Sequence, residues 1–240
     1  MKILTIGNSF SEDATRYLHG IAQSAGEDIE VVNIAIGGCS LETHCQNMIE
    51  RNKSYLYMYN GVFTGEYAAM NEVVESGEWD VITLQQVSHL SFDRSTYYPY
   101  ISELVKYIRE KQPKARLMLH ETWAYEDGSE RLCVMAGYKT SDEMLSDIKK
   151  AYSEVAAAEG FDGIIPSGET FGALLKSGVA KIHRDTFHAS LGLGRYALGL
   201  LWFKVLTGKS VIDNSFCELD EAADENEIKA VKQYVEQLVL

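Results

Sequence analysis

A serine at the end of a strand-like run, and an aspartate three residues before a histidine far down the chain, are the residue types of a nucleophilic hydrolase. Ser9 stands in Gly7-Asn8-Ser9-Phe10-Ser11, directly after the apolar run Lys2–Ile6. Asp185 and His188 stand in Asp185-Thr186-Phe187-His188, at the entrance to an apolar helical stretch. A serine hydroxyl is a weak nucleophile and needs a base to take its proton. Histidine suits that task near neutral pH, and a carboxylate beside it holds the tautomer and stabilises the imidazolium. Plainer readings exist for each piece. Ser9 is also a good N-cap for a first helix, and Asp185 or Thr186 could merely cap the last core helix.

The elements that must position these residues alternate in type. Strand-like runs occur at Lys2–Ile6, Ile29–Ile36, Asp80–Leu84, Ala115–His120 and Gly163–Pro166. Helical spacing appears over Asp13–Ala25, Tyr100–Lys111, Ser141–Gly160, Glu169–Lys176, Leu191–Leu206 and Asn226–Leu238. Apolar strands alternating with helices predict an α/β fold: a doubly wound, mainly parallel five-stranded sheet in a three-layer α/β/α sandwich. Ligands bind such sheets beyond the carboxyl ends of the strands. Ser9, Gly37-Gly38 and Gln85-Gln86 each follow a strand, so they are expected to converge on one rim.

Composition narrows the function classes. The chain has 240 residues, 46% of them hydrophobic, and no linker-like tract, which predicts one domain over 1–240. The net charge of −13 argues against nucleic-acid or anionic-membrane partners. No stretch approaches the ~18 apolar residues of a membrane span. The first residues lack the apolar core of an export signal, and Cys39, Cys45, Cys133 and Cys217 lack metal-ligand spacing. A cytoplasmic protein with free thiols is the expectation. His44, His120 and His183 are expected to be surface or structural residues, and neither a metal nor a cofactor is expected. No glycine-rich nucleotide motif is present.

These residues and their order resemble the SGNH/GDSL-type serine hydrolases, flavodoxin-like esterases and lipases with four short sequence blocks. Gly7-Asn8-Ser9-Phe10-Ser11 matches the first block, Gly37-Gly38 the second, and Asp185-Thr186-Phe187-His188 the last. The resemblance implies a triad of Ser9, His188 and Asp185. The third block departs from the usual Gly-x-Asn-Asp. The chain has Leu84-Gln85-Gln86-Val87-Ser88-His89 there, which leaves Gln85, Gln86 or His89 as the substitute for the usual asparagine. The oxyanion of the tetrahedral intermediate needs donors. The candidates are the backbone N–H groups of Ser9 and Gly38 (or Gly37) and a side-chain amide of Gln85 or Gln86.

Two aromatic-rich stretches interrupt the α/β rhythm. An insertion around 53–70 carries Tyr57 and Tyr59 and is expected to be lid-like. Tyr98 and Trp123 follow the third and fourth strands. Flat rings with polar tips suit stacking on a sugar, so these four are candidate substrate-binding residues. Local packing or a homodimer interface is the other reading. An extra helix is expected around 223–238. The function these features predict is a serine esterase that removes a short, acetyl-type acyl group from a small polar or carbohydrate-like ester. The alternatives are a lysophospholipase or thioesterase of the same superfamily, and a non-catalytic carbohydrate-binding or scaffold protein.

Overall fold

The computed structural model describes residues 1–179 and 181–238. In chain order, β1 (Lys2–Gly7) leads into α1 (Ser9–Thr15) and α2 (Leu18–Ser24), then β2 (Glu30–Ala35) and α3 (Leu41–Glu50). The hairpin β3 (Lys53–Tyr59) and β4 (Val62–Ala69) follows, with α4 (Met70–Val74) and β5 (Val81–Leu84). The second half runs α5 (Tyr100–Lys111), β6 (Arg116–His120), α6 (Ser141–Glu159), β7 (Gly163–Ile165), α7 (Ser167–Lys176), α8 (Leu193–Thr207) and α9 (Glu225–Gln237).

The strands form one sheet in the order β4-β3-β2-β1-β5-β6-β7. The run β2-β1-β5-β6-β7 is parallel throughout and comprises the five strands expected from the sequence. Its register aligns the carboxyl ends: Gly7 pairs with Ala35, and Ile6 with both Ile34 and Leu84. Side chains alternate between the two layers. Ile3, Val31, Val81 and Met118 pack with α1, α2, α7, α8 and α9, whereas Leu4, Ile6, Ile82, Leu84 and Leu119 pack with α3, α4, α5 and α6. Helix α8 is buried on nearly every side, as its apolar sequence demands.

The sheet has seven strands because the 53–70 segment is not a lid over the rim. It is an antiparallel hairpin that widens the sheet beside β2. Its turn is Asn60-Gly61, with φ of 50° and 80°, a pair of left-handed residues that matches the twist of a two-residue hairpin. The first helical stretch also divides. Asn8 caps α1, so that helix begins at Ser9, and buried Tyr17, whose hydroxyl donates to the Leu191 carbonyl, separates it from α2.

Glu121 is an acid buried inside this framework. It continues β6: its N–H donates to the Ile165 carbonyl, and its carboxylate accepts the Glu169 N–H at 2.9 Å. Burial pushes its carboxyl up to about 7, against the weaker pull of the Glu169 and Gly168 amides. A raised folded-state value means that folding favours the protonated form. This stabilisation is full below about pH 4.5 and is lost as pH rises through about 7. Between pH 5 and pH 8 wild type should therefore lose about 2 kcal/mol more stability than Glu121→Gln, measured by urea unfolding at both pH values. Parallel profiles for the two proteins would refute this.

Candidate active site

The turn after β1 is held by Asn8. Its Oδ1 accepts the Phe10 N–H at 3.1 Å and the Gln85 side-chain amide at 2.7 Å, while its Nδ2 donates to the Cys39 carbonyl at 3.0 Å. Three strand ends are thus tied through one side chain. Gly7 is required by closeness: a Cβ there would lie 2.5 Å from Ser11 Oγ and 3.0 Å from Gln85 Oε1. Ser9 becomes the first residue of α1, where backbone N–H groups have no intrahelical acceptor.

Ser9 Oγ lies 2.8 Å from His188 Nε2, and His188 Nδ1 lies 2.7 Å from Asp185 Oδ2. Asp185 Oδ1 also accepts the His188 N–H at 2.9 Å, so both carboxylate oxygens are used within one turn. The loop reaches this shape through Thr186, which sits at φ 72°. That region is costly for a β-branched residue. The Thr186 carbonyl accepts the Glu126 N–H, and the Phe187 carbonyl accepts the Trp123 indole N–H at 2.6 Å. Burial alone would raise the Asp185 carboxyl. The hydrogen bonds from His188 outweigh it, aided by the His188 and Arg184 charges, and leave Asp185 below its ordinary value.

Asp13 anchors the same loop from below. It is fully buried on α1, one turn after Ser9. Its carboxylate accepts from Arg184 at 2.9 and 3.0 Å, from Arg195 at 2.9 Å and from the Ala189 N–H at 3.1 Å.

Ser9 and His188 open into a cleft of about 360 Å³, shared with Asn8, Phe10, Gly37, Gly38, Val87, Ser88, His89, Arg131 and Phe187. Gly38 has φ 67°, a conformation suited to glycine. Ser9, His188 and Asp185 form one hydrogen-bonded line, a geometry in which the ring can accept a proton from the serine hydroxyl. A larger hollow of about 470 Å³ lies beside Trp79 and Gln112, at the opposite ends of the strands, away from this line.

Ser9, Gly38, Asp185 and His188 therefore come together as the sequence predicted. Gln85 and Gln86 do not line the cleft. Gln85 is spent on Asn8 and on buried His120, whose Nδ1 donates to Gln85 Oε1 at 2.7 Å; burial pushes that ring down to about 3, so it is neutral. Gln86 is buried, donating to Thr96 and accepting from Leu41 and Val87. Of the three candidates for the usual asparagine, His89 is the one that lines the cleft, beside Val87 and Ser88. The four proposed substrate-binding aromatics lie elsewhere. Tyr57 and Tyr59 pair with Ile34 and Val32 because the antiparallel β3 runs back from the rim. Tyr98 packs beside Arg94, and Trp123 is buried and stacked on Phe10 at 4.0 Å. His44, His120 and His183 are all buried outside the cleft. Sequence reasoning missed Asn8, Phe187 and Arg131. The first two sit inside motifs already singled out, whereas Arg131 arrives on the loop after β6 with no local signal.

The model of the family described as Domain of unknown function (DUF4886) matches residues 2–234. No curated protein matches the sequence. A DUF4886 family protein from Bacteroides uniformis ATCC 8492 is similar at 33% identity and TM-score 0.90, over 98% of this chain and 93% of that one. A protein assigned to the SGNH hydrolases from Slackia heliotrinireducens is 21% identical, with TM-score 0.59 over 86% of this chain and 98% of its own. One assigned to the GDSL-like lipases from Parabacteroides merdae ATCC 43184 is 17% identical, with TM-score 0.57 over 86% and 95%. The last two likenesses are of fold, and that fold is the one of the SGNH/GDSL hydrolases.

Asp13 and Asp185 make the same kind of contact at different depths. Asp13→Asn should cost about 3 kcal/mol in urea unfolding, because it strips the charge that two guanidinium groups share. Asp185→Asn, at a side chain 46% exposed, should stay within about 1 kcal/mol of wild type. Equal losses from the two substitutions would show that Asp13 is not the anchor.

Proposed function

The chain belongs to the DUF4886 family, and from the hydrolase fold it shares we propose that it is a serine esterase acting on short acyl esters. The observation that carries this reading is the unbroken chain from Ser9 Oγ through the His188 ring to Asp185. In the proposed reaction Ser9 Oγ attacks the ester carbonyl as His188 Nε2 accepts its proton. Asp185 keeps the Nδ1–H pointed at itself and stabilises the imidazolium. Ser9 and Gly38 line the same cleft, and in the proposed reaction their backbone N–H groups are the donors for the oxyanion, with the N-terminal end of α1 favouring negative charge. His188 then returns the proton to the leaving alkoxide, and water releases the acyl group by the same route.

The small cleft, walled by Phe10, Val87 and Phe187, supports a short acyl group over a long one. The carbohydrate part of the expectation loses its main support, because none of Tyr57, Tyr59, Tyr98 and Trp123 lines the cleft. A small polar ester is the substrate class that remains.

Wild type should hydrolyse p-nitrophenyl acetate and butyrate much faster than the decanoate. Ser9→Ala should lower kcat/KM by about a thousandfold or more and abolish labelling by a fluorophosphonate. Full activity in Ser9→Ala, or a preference for decanoate, would overturn the nucleophile or the acyl length respectively.

A further inference from the structure

The chain carries 35 acids against 22 lysines and arginines, yet among the described residues no aspartate or glutamate lines the cleft. Its permanently charged group is Arg131. Among the eight arginines of the sequence, Arg16, Arg51, Arg94, Arg109, Arg184 and Arg195 are ion-paired, and Arg116 donates to the Leu206 carbonyl. Arg131 has neither kind of partner among the described residues. Its guanidinium carbon lies 3.7 Å from the centre of the Phe187 ring, and that ring is 3.8 Å from the His188 ring. Stacking on an aromatic face orients the guanidinium and leaves its N–H fork unspent. The neighbouring Leu132 is fully buried and its N–H donates to Ser129 Oγ, so the turn that presents Arg131 is anchored. Burial, together with the Arg131 charge, holds His89 below its ordinary value, in keeping with a local positive field.

We propose that Arg131 selects substrates carrying an anionic oxygen group, a carboxylate or a phosphate, beside the scissile ester. This rests on the esterase reading above and specifies its substrate class. An unpaired guanidinium fork matches two oxygens of such a group. In a molecule of net charge −13 it also offsets the repulsion an anionic ligand meets on approach.

The test compares 4-acetoxybenzoate and 4-acetoxyphenyl phosphate with neutral 4-acetoxybenzamide. Wild type should favour at least one anion by about tenfold in kcat/KM, and the preference should shrink as salt is added. In Arg131→Gln the anion-to-neutral ratio should fall close to one, and Arg131→Lys should restore part of it. The two anionic esters separate carboxylate from phosphate recognition. A second arm needs no turnover: Ser9→Ala should bind benzoate or phenyl phosphate in a calorimetric titration more tightly than benzamide, and Ser9→Ala/Arg131→Gln should not. Anion binding in Ser9→Ala without ester hydrolysis by wild type would sink the esterase reading and keep the anion site. An unchanged ratio in Arg131→Gln, or no anion binding in Ser9→Ala, would overturn the role of Arg131 whatever the esterase outcome.

Discussion

The site depends on the burial of Asp13. Ser9 and Asp13 are four residues apart on α1, so they share a face one turn apart. The upper residue meets His188, and the lower one meets Arg184, Arg195 and the Ala189 amide. A helix carries Ser9, a distant loop carries His188, and one buried carboxylate fastens the second to the first. The hydrogen bond between Ser9 and His188 spans 179 positions of sequence. It holds its length because the anchor beneath it is electrostatic and sealed from solvent, where charge interactions are strongest.

A second tie works across the sheet. Asn8, Gln85 and His120 link the ends of β1, β5 and β6 by hydrogen bonds of 2.7 Å. The neutral imidazole at the end of this line adds no charge beneath the cleft. The two polar systems divide the labour. The Asn8 line sets where the turn after β1 sits, and the Asp13 cluster sets where the Asp185–His188 loop lands on it. The Asp13 carboxylate has both oxygens engaged, whereas the Asn8 line ends at His120 Nε2, a buried nitrogen with no hydrogen-bond partner among the described residues.

Much of this was legible in the sequence. The five parallel strands, the rim at their carboxyl ends and the four residues Ser9, Gly38, Asp185 and His188 follow from apolar periodicity and short motifs. Local patterns failed where a residue's duty is set by distant partners. Gln85 reads like a donor for the cleft but is consumed by Asn8, a contact across 77 positions. The aromatics of β3 miss the cleft because the stretch expected to be lid-like is a hairpin added to the sheet, although Tyr59-Asn60-Gly61-Val62 carries a recognised two-residue hairpin signal. Arg131 was invisible for a different reason. An arginine in a loop acquires meaning only from the absence of an acid nearby, and that is a property of three-dimensional neighbours.

Thr186 gives the site a cost. A β-branched residue in the left-handed region forfeits roughly 1–3 kcal/mol, and a folded domain is typically stable by only about 5–15 kcal/mol. Glycine would relax the turn but would also let the chain wander before and after folding. Threonine instead commits the backbone to a single strained shape that keeps Asp185 under His188. The molecule is therefore less durable than its core could make it, and the shortfall sits at one torsion between Asp185 and His188.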